Sequence, residues 1–411
     1  MTDPIQLRTL DPDDLQAYVA DMSVGFGGEA HADEAEAERP LIEFERFISA
    51  FAGDQRVGTS GAYSMHLTVP GGEVAVSGIT GVTVRPDHRR RGILRQMIGW
   101  LFDDARRHGE PIAVLLASEA AIYHRFGFGM STTATSFSID RLRTTFREPV
   151  ELDGRTVIRL VAADEAAHTF AAIYERVRSA IPGSLDRPEA KWSNWMVADA
   201  EWMRRGEGPK FLAQVEVDGE PRAYAIYRIN NDWDVTGPRS TLSVQEVLGL
   251  DPESERGLWQ WLLSMDLVGT ISGRRGPNPH PLQQWLLEPR RLALTVNDGL
   301  WLRILDLPAA LEARTYVGSG TLVLEVTDDT IDSNAGRWQL SVDDGRPTVT
   351  STTTEPDLEL DIRTLAAVYL GAFRFGDLAA AGKVRECQPG RLATADALFT
   401  PPRAPWNATP F

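Results

Sequence analysis

The chain has a single cysteine, Cys387, among its 411 residues. An intrachain disulfide is therefore impossible, and a reducing, cytoplasmic environment is the expectation. No apolar run approaches the roughly 20 residues that a membrane-spanning helix needs. The opening residues MTDPIQLRTLDPDD lack the apolar core of a secretion signal. The sequence thus predicts no membrane partner, while export without a standard signal stays open.

Positive charge is also scarce, since 42 Lys and Arg residues face 58 Asp and Glu residues, for a formal net charge of −16. A field of this sign repels nucleic acid and attracts cations. We therefore expect no nucleic-acid partner, and the charge suits a small cationic amine such as a polyamine. Solubility alone is the other explanation of the acid excess.

Against this background, the basic stretch VTVRPDHRRRGILRQMIGWL, from Val82 to Leu101, is exceptional. It lacks the Gly-Lys-Ser/Thr of a nucleotide P-loop, and it lacks G-x-G-x-x-G. Its periodicity predicts a strand, a turn and a helix. Free N–H groups at the helix start, close approach at Gly92 and the charge of Arg89–Arg91 suit a pyrophosphate. The alternative is a solvated basic turn that precedes an ordinary helix.

The pattern V-x-V-x-P-x-x-R-R-R-G-I resembles the acetyl-CoA loop of the GCN5-related N-acetyltransferases (GNAT). A second segment, SEAAIYHRFGFGM from Ser118 to Met130, is also similar to that family. In the resembled fold, Tyr123 lies beside the thioester sulfur, where a phenol can protonate the leaving thiolate. The alternative reading of Tyr123 is a tyrosine that only packs in the core.

The sequence predicts a mixed α+β protein with three domains. The first, residues 1–148, is the GNAT domain that binds acetyl-CoA. The second, residues 149–288, echoes it in weakened form, and Glu253 and Glu255 stand where the first copy is basic. Carboxylates there repel a pyrophosphate, so this copy keeps the fold and loses the cofactor. The third, residues 289–411, resembles the sterol carrier protein-like α+β fold.

The order of these pieces resembles the enhanced intracellular survival (Eis) family of GNAT enzymes, over essentially the whole chain. The resemblance implies acetylation of amines from acetyl-CoA, with aminoglycosides among the substrates, no metal, and a homohexamer. It implies that the backbone of Val82, Thr83 and Val84 pairs with pantetheine amides, and that Ser118 and Glu119 lie near the thioester. The phosphates of the cofactor would be held by Arg89, Arg90, Arg91, Gly92, Ile93, Leu94 and Arg95.

The same resemblance implies two catalytic groups, Tyr123 as general acid and the terminal carboxylate of Phe411 as general base. A frayed end is the alternative for a last residue, although prolines in DALFTPPRAPWNATPF would stiffen this tail. Phe26 is the candidate residue for the substrate pocket. Two positions depart from the family pattern, because Gly81 replaces an aromatic residue and Pro410 replaces an acidic one.

The predicted function is therefore an acetyl-CoA-dependent N-acetyltransferase that acts on primary amines of small cationic substrates. Two alternatives stay open at this point. One is a protein lysine acetyltransferase. The other is a lipid- or protein-binding scaffold with a vestigial GNAT fold, which would leave the intact Arg89–Gly92 loop unexplained.

Overall fold

A computed structural model describes residues 4–151 and 153–411 of the chain. The first region has six strands: β1 (Ile5–Thr9), β2 (Phe47–Ala52), β3 (Gln55–Val69), β4 (Gly72–Val84), β5 (Ile112–Leu116) and β6 (Gly129–Met130). Its helices are α1 (Leu15–Gly25), α2 (Glu34–Glu38), α3 (Ile93–Arg107) and α4 (Ala120–His124).

The middle region contributes nine strands: β7 (Thr133–Asp140), β8 (Thr156–Leu160), β9 (Lys210–Val217), β10 (Glu220–Asn230), β11 (Trp233–Asp234), β12 (Gly237–Pro238), β13 (Ser240–Gly249), β14 (Val268–Gly276) and β15 (Thr295–Asp298). Its helices are α5 (Ala163–Arg178), α6 (Glu189–Lys191), α7 (Pro252–Leu263) and α8 (Leu282–Trp285).

The last region contains the strands β16 (Leu300–Ile304), β17 (Gly320–Thr327), β18 (Gly336–Asp343), β19 (Arg346–Ser351), β20 (Leu358–Asp361) and β21 (Val384–Glu386). Its helices are α9 (Leu307–Glu312), α10 (Ile362–Tyr369), α11 (Phe375–Ala380) and α12 (Arg391–Phe399). The mixed α+β class predicted from the sequence is confirmed.

The strands form three large sheets and one short ribbon of β11 and β12. The first sheet has the order β1-β2-β3-β4-β5-β16-β6, and the second has the order β15-β7-β14-β13-β10-β9-β8. The third sheet has the order β19-β18-β17-β20-β21. The first and third sheets belong to one compact unit, and the second sheet belongs to another.

The sheets divide the chain at other points than the boundaries predicted at residues 148 and 288. Strand β7 precedes residue 148 but pairs with β14 and β15 in the second sheet. Strand β16 follows residue 288 but lies between β5 and β6 in the first sheet. All five residues of β16 are buried, which suits a strand that is paired on both edges. Such pairing joins residues far apart in sequence, so a local pattern cannot reveal it.

Helix α3 confirms the periodicity of the basic stretch. Ile93, Met97, Ile98 and Leu101 are buried on one face of this helix. The helix contacts β3 and β4. The predicted phosphate loop leads into the start of this helix. Because the apolar face of the helix packs on the sheet, it fixes the position of that start.

The two glycines of F-G-F-G allow close packing within this unit. Gly127 has φ +84°, and a Cβ there would lie 2.6 Å from Cζ of Arg303 on β16. A Cβ on Gly129 would lie 2.0 Å from the carbonyl oxygen of Arg363, so α10 packs directly on β6. A larger residue at either position would push these elements apart.

A buried ion pair joins the elements around α3. The Arg46 guanidinium donates to Asp104 Oδ2 at 2.9 Å and to both carboxylate oxygens of Glu110, at 2.7 and 2.6 Å. All three side chains are almost fully buried. Burial alone would lower the pKa of Arg46, but the bonds to Glu110 and Asp104 raise the pKa overall. The charge therefore stays on the guanidinium.

Across residues 4–151 and 153–411, no helix has both the length and the apolar composition to cross a bilayer.

We expect the substitution Arg46→Met to lower the free energy of unfolding by about 3–5 kcal/mol, because it removes the guanidinium that neutralises buried Glu110 and one of the two arginines bonded to buried Asp104. Urea-induced unfolding measures the change. The matched control is Arg39→Met, since Arg39 pairs with Glu36 at the surface at 3.2 Å, where loss of the pair costs at most about 1 kcal/mol. Equal losses in the two variants would contradict a structural role for the buried cluster.

Candidate active site

The first sheet opens between two parallel strands. Strands β4 and β5 pair only through Val76–Gly78 and Ile112–Val114, and then diverge. Beyond this point β4 continues to Val84, and among the described residues its edge toward β5 has no partner strand. The predicted residues Val82, Thr83 and Val84 lie on this open edge. Backbone N–H and C=O groups there are available to the amides of a ligand.

The irregular course of β4 begins at Gly81. The register between β3 and β4 shifts near this residue, and Gly81 has φ +60°, a conformation that favours glycine. A Cβ on Gly81 would lie 3.1 Å from Sδ of Met22 and 3.4 Å from the hydroxyl of Tyr18. A side chain at position 81 would therefore contact α1.

The start of α3 is an uncapped helix N-terminus. Gly92 is the N-cap residue with φ +78°, and no side chain caps the helix. A Cβ on Gly92 would have no atom within 4 Å among the described residues, so a ligand can approach the backbone. The N–H groups of Ile93, Leu94 and Arg95 belong to the first turn, in which no carbonyl of the helix itself can accept them. They are suitable donors to phosphate oxygens.

Four arginines surround this helix start. Arg89, Arg90 and Arg95 are exposed, and Arg91 is half-buried. The Arg89 Nε donates to the carbonyl oxygen of Val84 at 3.3 Å, which holds the arginine at the end of β4. Within the described ranges Arg90, Arg91 and Arg95 have no carboxylate partner. Their charge is therefore free for an anionic ligand.

These features fit two parts of acetyl-CoA. The open edge of β4 matches the amides of the pantetheine arm, and the free N–H groups with the arginines match the pyrophosphate. The fit rests on the open strand edge, on the uncapped helix start and on arginines without a carboxylate partner among the described residues. The individual contacts of Val82–Val84 and Arg89–Arg95 with the cofactor stay predictions.

Tyr123 lies on α4, just after the end of β5. Its side chain is 7% exposed and packs edge-on against Phe128 at a centroid distance of 5.9 Å. Burial raises the pKa of the Tyr123 phenol to about 12. Its hydroxyl has no hydrogen-bond partner among the described residues, and it is not one of their fully enclosed polar atoms. The ring is thus fixed while the hydroxyl stays protonated and reachable.

Ser118 and Glu119 lie between β5 and α4. Both are exposed, and Glu119 is the N-cap residue of α4, although its side chain makes no capping bond. They therefore lie at the carboxyl end of β5, on the same strand that borders the opening. Their contact with the cofactor stays a prediction.

Phe26 follows α1, whose end touches β4. A Cβ on Gly25 would lie 2.4 Å from Cβ of Thr83, so only glycine lets the helix come this close. Phe26 is the next residue and is 56% exposed. The structure thus brings Phe26 beside the open edge of β4, and Gly25 is the contact that sequence reasoning did not single out.

Phe411 and Tyr123 belong to the same compact unit. The last two residues, Pro410 and Phe411, group with the unit that contains the first and third sheets, whereas residues 403–409 group with the other unit. Phe411 is half-buried rather than fully exposed. Its role as general base stays a prediction.

The corresponding helix start in the second sheet is closed to anions. Asp251 is the N-cap residue of α7, and its carboxylate accepts bonds from the backbone N–H of Ser254 at 2.8 Å and from Arg222 at 2.9 Å. A carboxylate of the protein therefore occupies the place that a phosphate would take. This agrees with the expected repulsion at Glu253 and Glu255, and Asp251 is the residue that sequence reasoning overlooked.

Comparison with known proteins gives the same arrangement. Family models described as acetyltransferase (GNAT) domains match residues 6–131 and 183–304. A sterol carrier protein domain model matches residues 307–408. Two GNAT domains followed by a sterol carrier protein domain thus account for most of the chain.

Full-length relatives are found as well. The N-acetyltransferase Eis of Mycobacterium tuberculosis is 38% identical over 382 residues, which cover 89% of this chain and 90% of that protein. An uncharacterized N-acetyltransferase of Streptomyces avermitilis is 39% identical over 404 residues, with 97% and 98% covered. The crystal structure of Eis1 from Mycobacterium abscessus superposes with a TM-score of 0.83 at 31% identity, covering 99% of this chain and 100% of that one.

The fold and the site therefore define an N-acetyltransferase of the GNAT class, and GNAT acetyltransferases use acetyl-CoA. Within that class, the chain belongs to the Eis-like family. The family assignment confirms the predicted resemblance and makes the chain an enzyme, so the alternative of a vestigial scaffold loses its basis.

We expect the double substitution of Arg89→Glu and Arg90→Glu to weaken acetyl-CoA binding at least about 100-fold, because two charge-assisted contacts worth about 1.5–3 kcal/mol each become repulsive. Isothermal titration calorimetry measures the dissociation constant. The matched control combines Arg176→Glu with Arg290→Glu, two exposed arginines of the other unit that give the same charge change. Unchanged affinity in the loop variant would contradict the phosphate site.

Proposed function

We propose that this enzyme transfers the acetyl group of acetyl-CoA to a primary amine of a small cationic substrate, of the polyamine or aminoglycoside kind. The observation that carries the proposal is the free helix start at Gly92 beside the open edge of β4, with the protonated Tyr123 after the neighbouring strand. The net charge of −16 supports a cationic acceptor. The exposed ring of Phe26 supports a substrate with an apolar or planar face.

Acetyl-CoA supplies an acetyl thioester. The carboxylate of Phe411, directly or through a water molecule, accepts a proton from the incoming ammonium group, so that the nitrogen lone pair becomes free to attack the thioester carbonyl. A terminal carboxyl is ionised at neutral pH and a weak base, so burial beside the substrate cation has to support this step. A backbone N–H near Val84 donates to the carbonyl oxygen as negative charge develops there.

Tyr123 completes the transfer. As the carbon–sulfur bond breaks, its hydroxyl donates a proton to the sulfur, which leaves as a thiol. The new amide nitrogen then releases its second proton, which restores the phenol of Tyr123. The raised pKa keeps the phenol in its neutral form over the whole physiological range. Since the neutral form is the active one, this group limits the rate only as pH rises toward about 12.

We expect Tyr123→Phe to lower kcat by about 10²–10⁴-fold, the usual contribution of a general acid, while acetyl-CoA affinity stays the same. The rate of CoA release from acetyl-CoA measures kcat between pH 6 and pH 10, where ionisation of Tyr123 should produce no decline in the unsubstituted enzyme. The matched control is Tyr227→Phe, because Tyr227 is also buried, with its pKa raised by burial to about 12. An equal loss in both variants would contradict the role of Tyr123.

We expect a few extra residues after Phe411 to abolish turnover, because the α-carboxylate becomes an amide that cannot accept a proton. CoA release is measured with polyamines, aminoglycosides and lysine peptides, for the native-ended chain and for the extended one. The control carries the same residues at the N-terminus. Equal activity in both forms would keep the enzyme and remove Phe411 as the base, whereas turnover of peptides alone would favour a protein lysine acetyltransferase.

A further inference from the structure

The second sheet opens in the same way as the first. Strands β13 and β14 pair in parallel only where Ser240–Val244 lies beside Val268–Gly273. Each strand then continues, to Gly249 and to Gly276, without pairing with the other. We call this opening the second fork. In the first sheet the corresponding opening is the one that fits acetyl-CoA.

The tail of the chain fills the second fork. Trp406 and Ala408 line it together with residues of β13 and β14, and the cavity left over has a volume of about 30 Å³, room for about one water molecule. The Trp406 indole Nε1 donates to the carbonyl oxygen of Arg275 on β14 at 2.8 Å. Its backbone N–H donates to the carbonyl oxygen of Pro182 at 2.8 Å. The indole of the tail thus bonds to a carbonyl of β14 beyond the stretch that pairs with β13.

Thr409 is the second anchor of the tail and is almost fully buried. Its hydroxyl lies 2.7 Å from the Tyr174 hydroxyl and accepts from Nε of Arg187 at 2.9 Å. The other two nitrogens of Arg187 donate to both carboxylate oxygens of Glu246 on β13, at 2.9 and 2.6 Å. Burial alone would lower the pKa of Arg187, but the Glu246 carboxylate raises it. Arg187 therefore bonds both to Glu246 on β13 and to Thr409 of the tail, so the buried ion pair is joined directly to the tail.

This anchor sets how far the end of the chain can reach. Only Pro410 and Phe411 follow Thr409, and two extended residues span about 7 Å. Proline fixes one of the backbone angles between the anchor and the terminal carboxylate. Release of Thr409 would therefore loosen the placement of that carboxylate, and a misplacement of about 1 Å can cost about 100-fold in rate.

We propose that the second GNAT module has become a clamp for the C-terminal tail, in which Thr409, Arg187 and Glu246 are positioning residues for the Phe411 carboxylate. The proposal rests on the proposed function, since it gives the clamp its purpose. The clamp would explain why the second module keeps the second fork although the Asp251 carboxylate caps the helix start beside it. The fork binds a segment of its own chain in place of a cofactor.

The test compares full-length, native-ended Thr409→Val with Thr409→Ser, which keeps the hydroxyl. We expect Thr409→Val to lower kcat about 10- to 100-fold, with the KM for acetyl-CoA unchanged, and Thr409→Ser to restore most of the rate. Hydrogen–deuterium exchange of the peptide from residue 403 to residue 411 should accelerate in Thr409→Val alone. The control is Thr400→Val, an exposed threonine whose hydroxyl bonds only to the Asp396 carbonyl at 2.6 Å.

The two readouts separate the clamp from the proposed function. Faster exchange together with a lower kcat in Thr409→Val supports the clamp. Faster exchange with an unchanged kcat overturns it, because the tail would then be free without consequence for the rate. Unchanged exchange also overturns it. If the native-ended enzyme acetylates no amine, the proposed function fails by itself. Slow hydrogen–deuterium exchange of the tail in that enzyme would still support the clamp. Rapid exchange of the tail would overturn it.

Discussion

The short parallel pairing of β4 with β5 is the constraint on which the site depends. The two strands share only three register pairs before they diverge, so the backbone of β4 as far as Val84 needs partners from outside the sheet. The same strands lead directly to the other parts of the site. Strand β4 is followed by the arginine loop and the uncapped start of α3, and β5 is followed by the helix that carries Tyr123. The proposed cofactor site and the proposed general acid therefore share one structural origin.

The first and second sheets each contain two parallel strands that pair over a short stretch only. The two sheets differ in what lies at the open strand edge and at the helix start beside it. The first copy leaves its helix start uncapped and leaves Arg90, Arg91 and Arg95 without a carboxylate partner among the described residues. The second copy satisfies itself, since the Asp251 carboxylate caps α7 and Trp406 pairs with β14. A carboxylate and an indole supplied by the protein thus stand where the first copy is proposed to hold phosphate and pantetheine.

Buried arginines and glycines hold the first unit in the geometry that the site needs. Arg46 ties α3 to neighbouring elements through Asp104 and Glu110. Arg303 on β16 bonds to Asp328 at 2.7 Å and lies against Gly127 of the F-G-F-G segment. Because β16 comes from the far side of the middle region in sequence, the segment after Tyr123 is fixed by residues that no nearby pattern indicates. The position of the phenol thus depends on contacts across the whole unit.

The sequence by itself determined the local features of this protein. The alternation at Val82–Val84, the glycine before α3, the helical spacing after it and the cluster at Arg89–Arg91 follow from chemistry within a few residues, and the structure retains all of them. The three-part order and the family were recognisable for the same reason. Tertiary structure alone decided which sheet receives β7 and β16, that Asp251 closes the second phosphate site, and that the tail enters the second fork. Strand pairing and buried ion pairs are satisfied by partners distant in sequence, and only the folded chain brings those partners together.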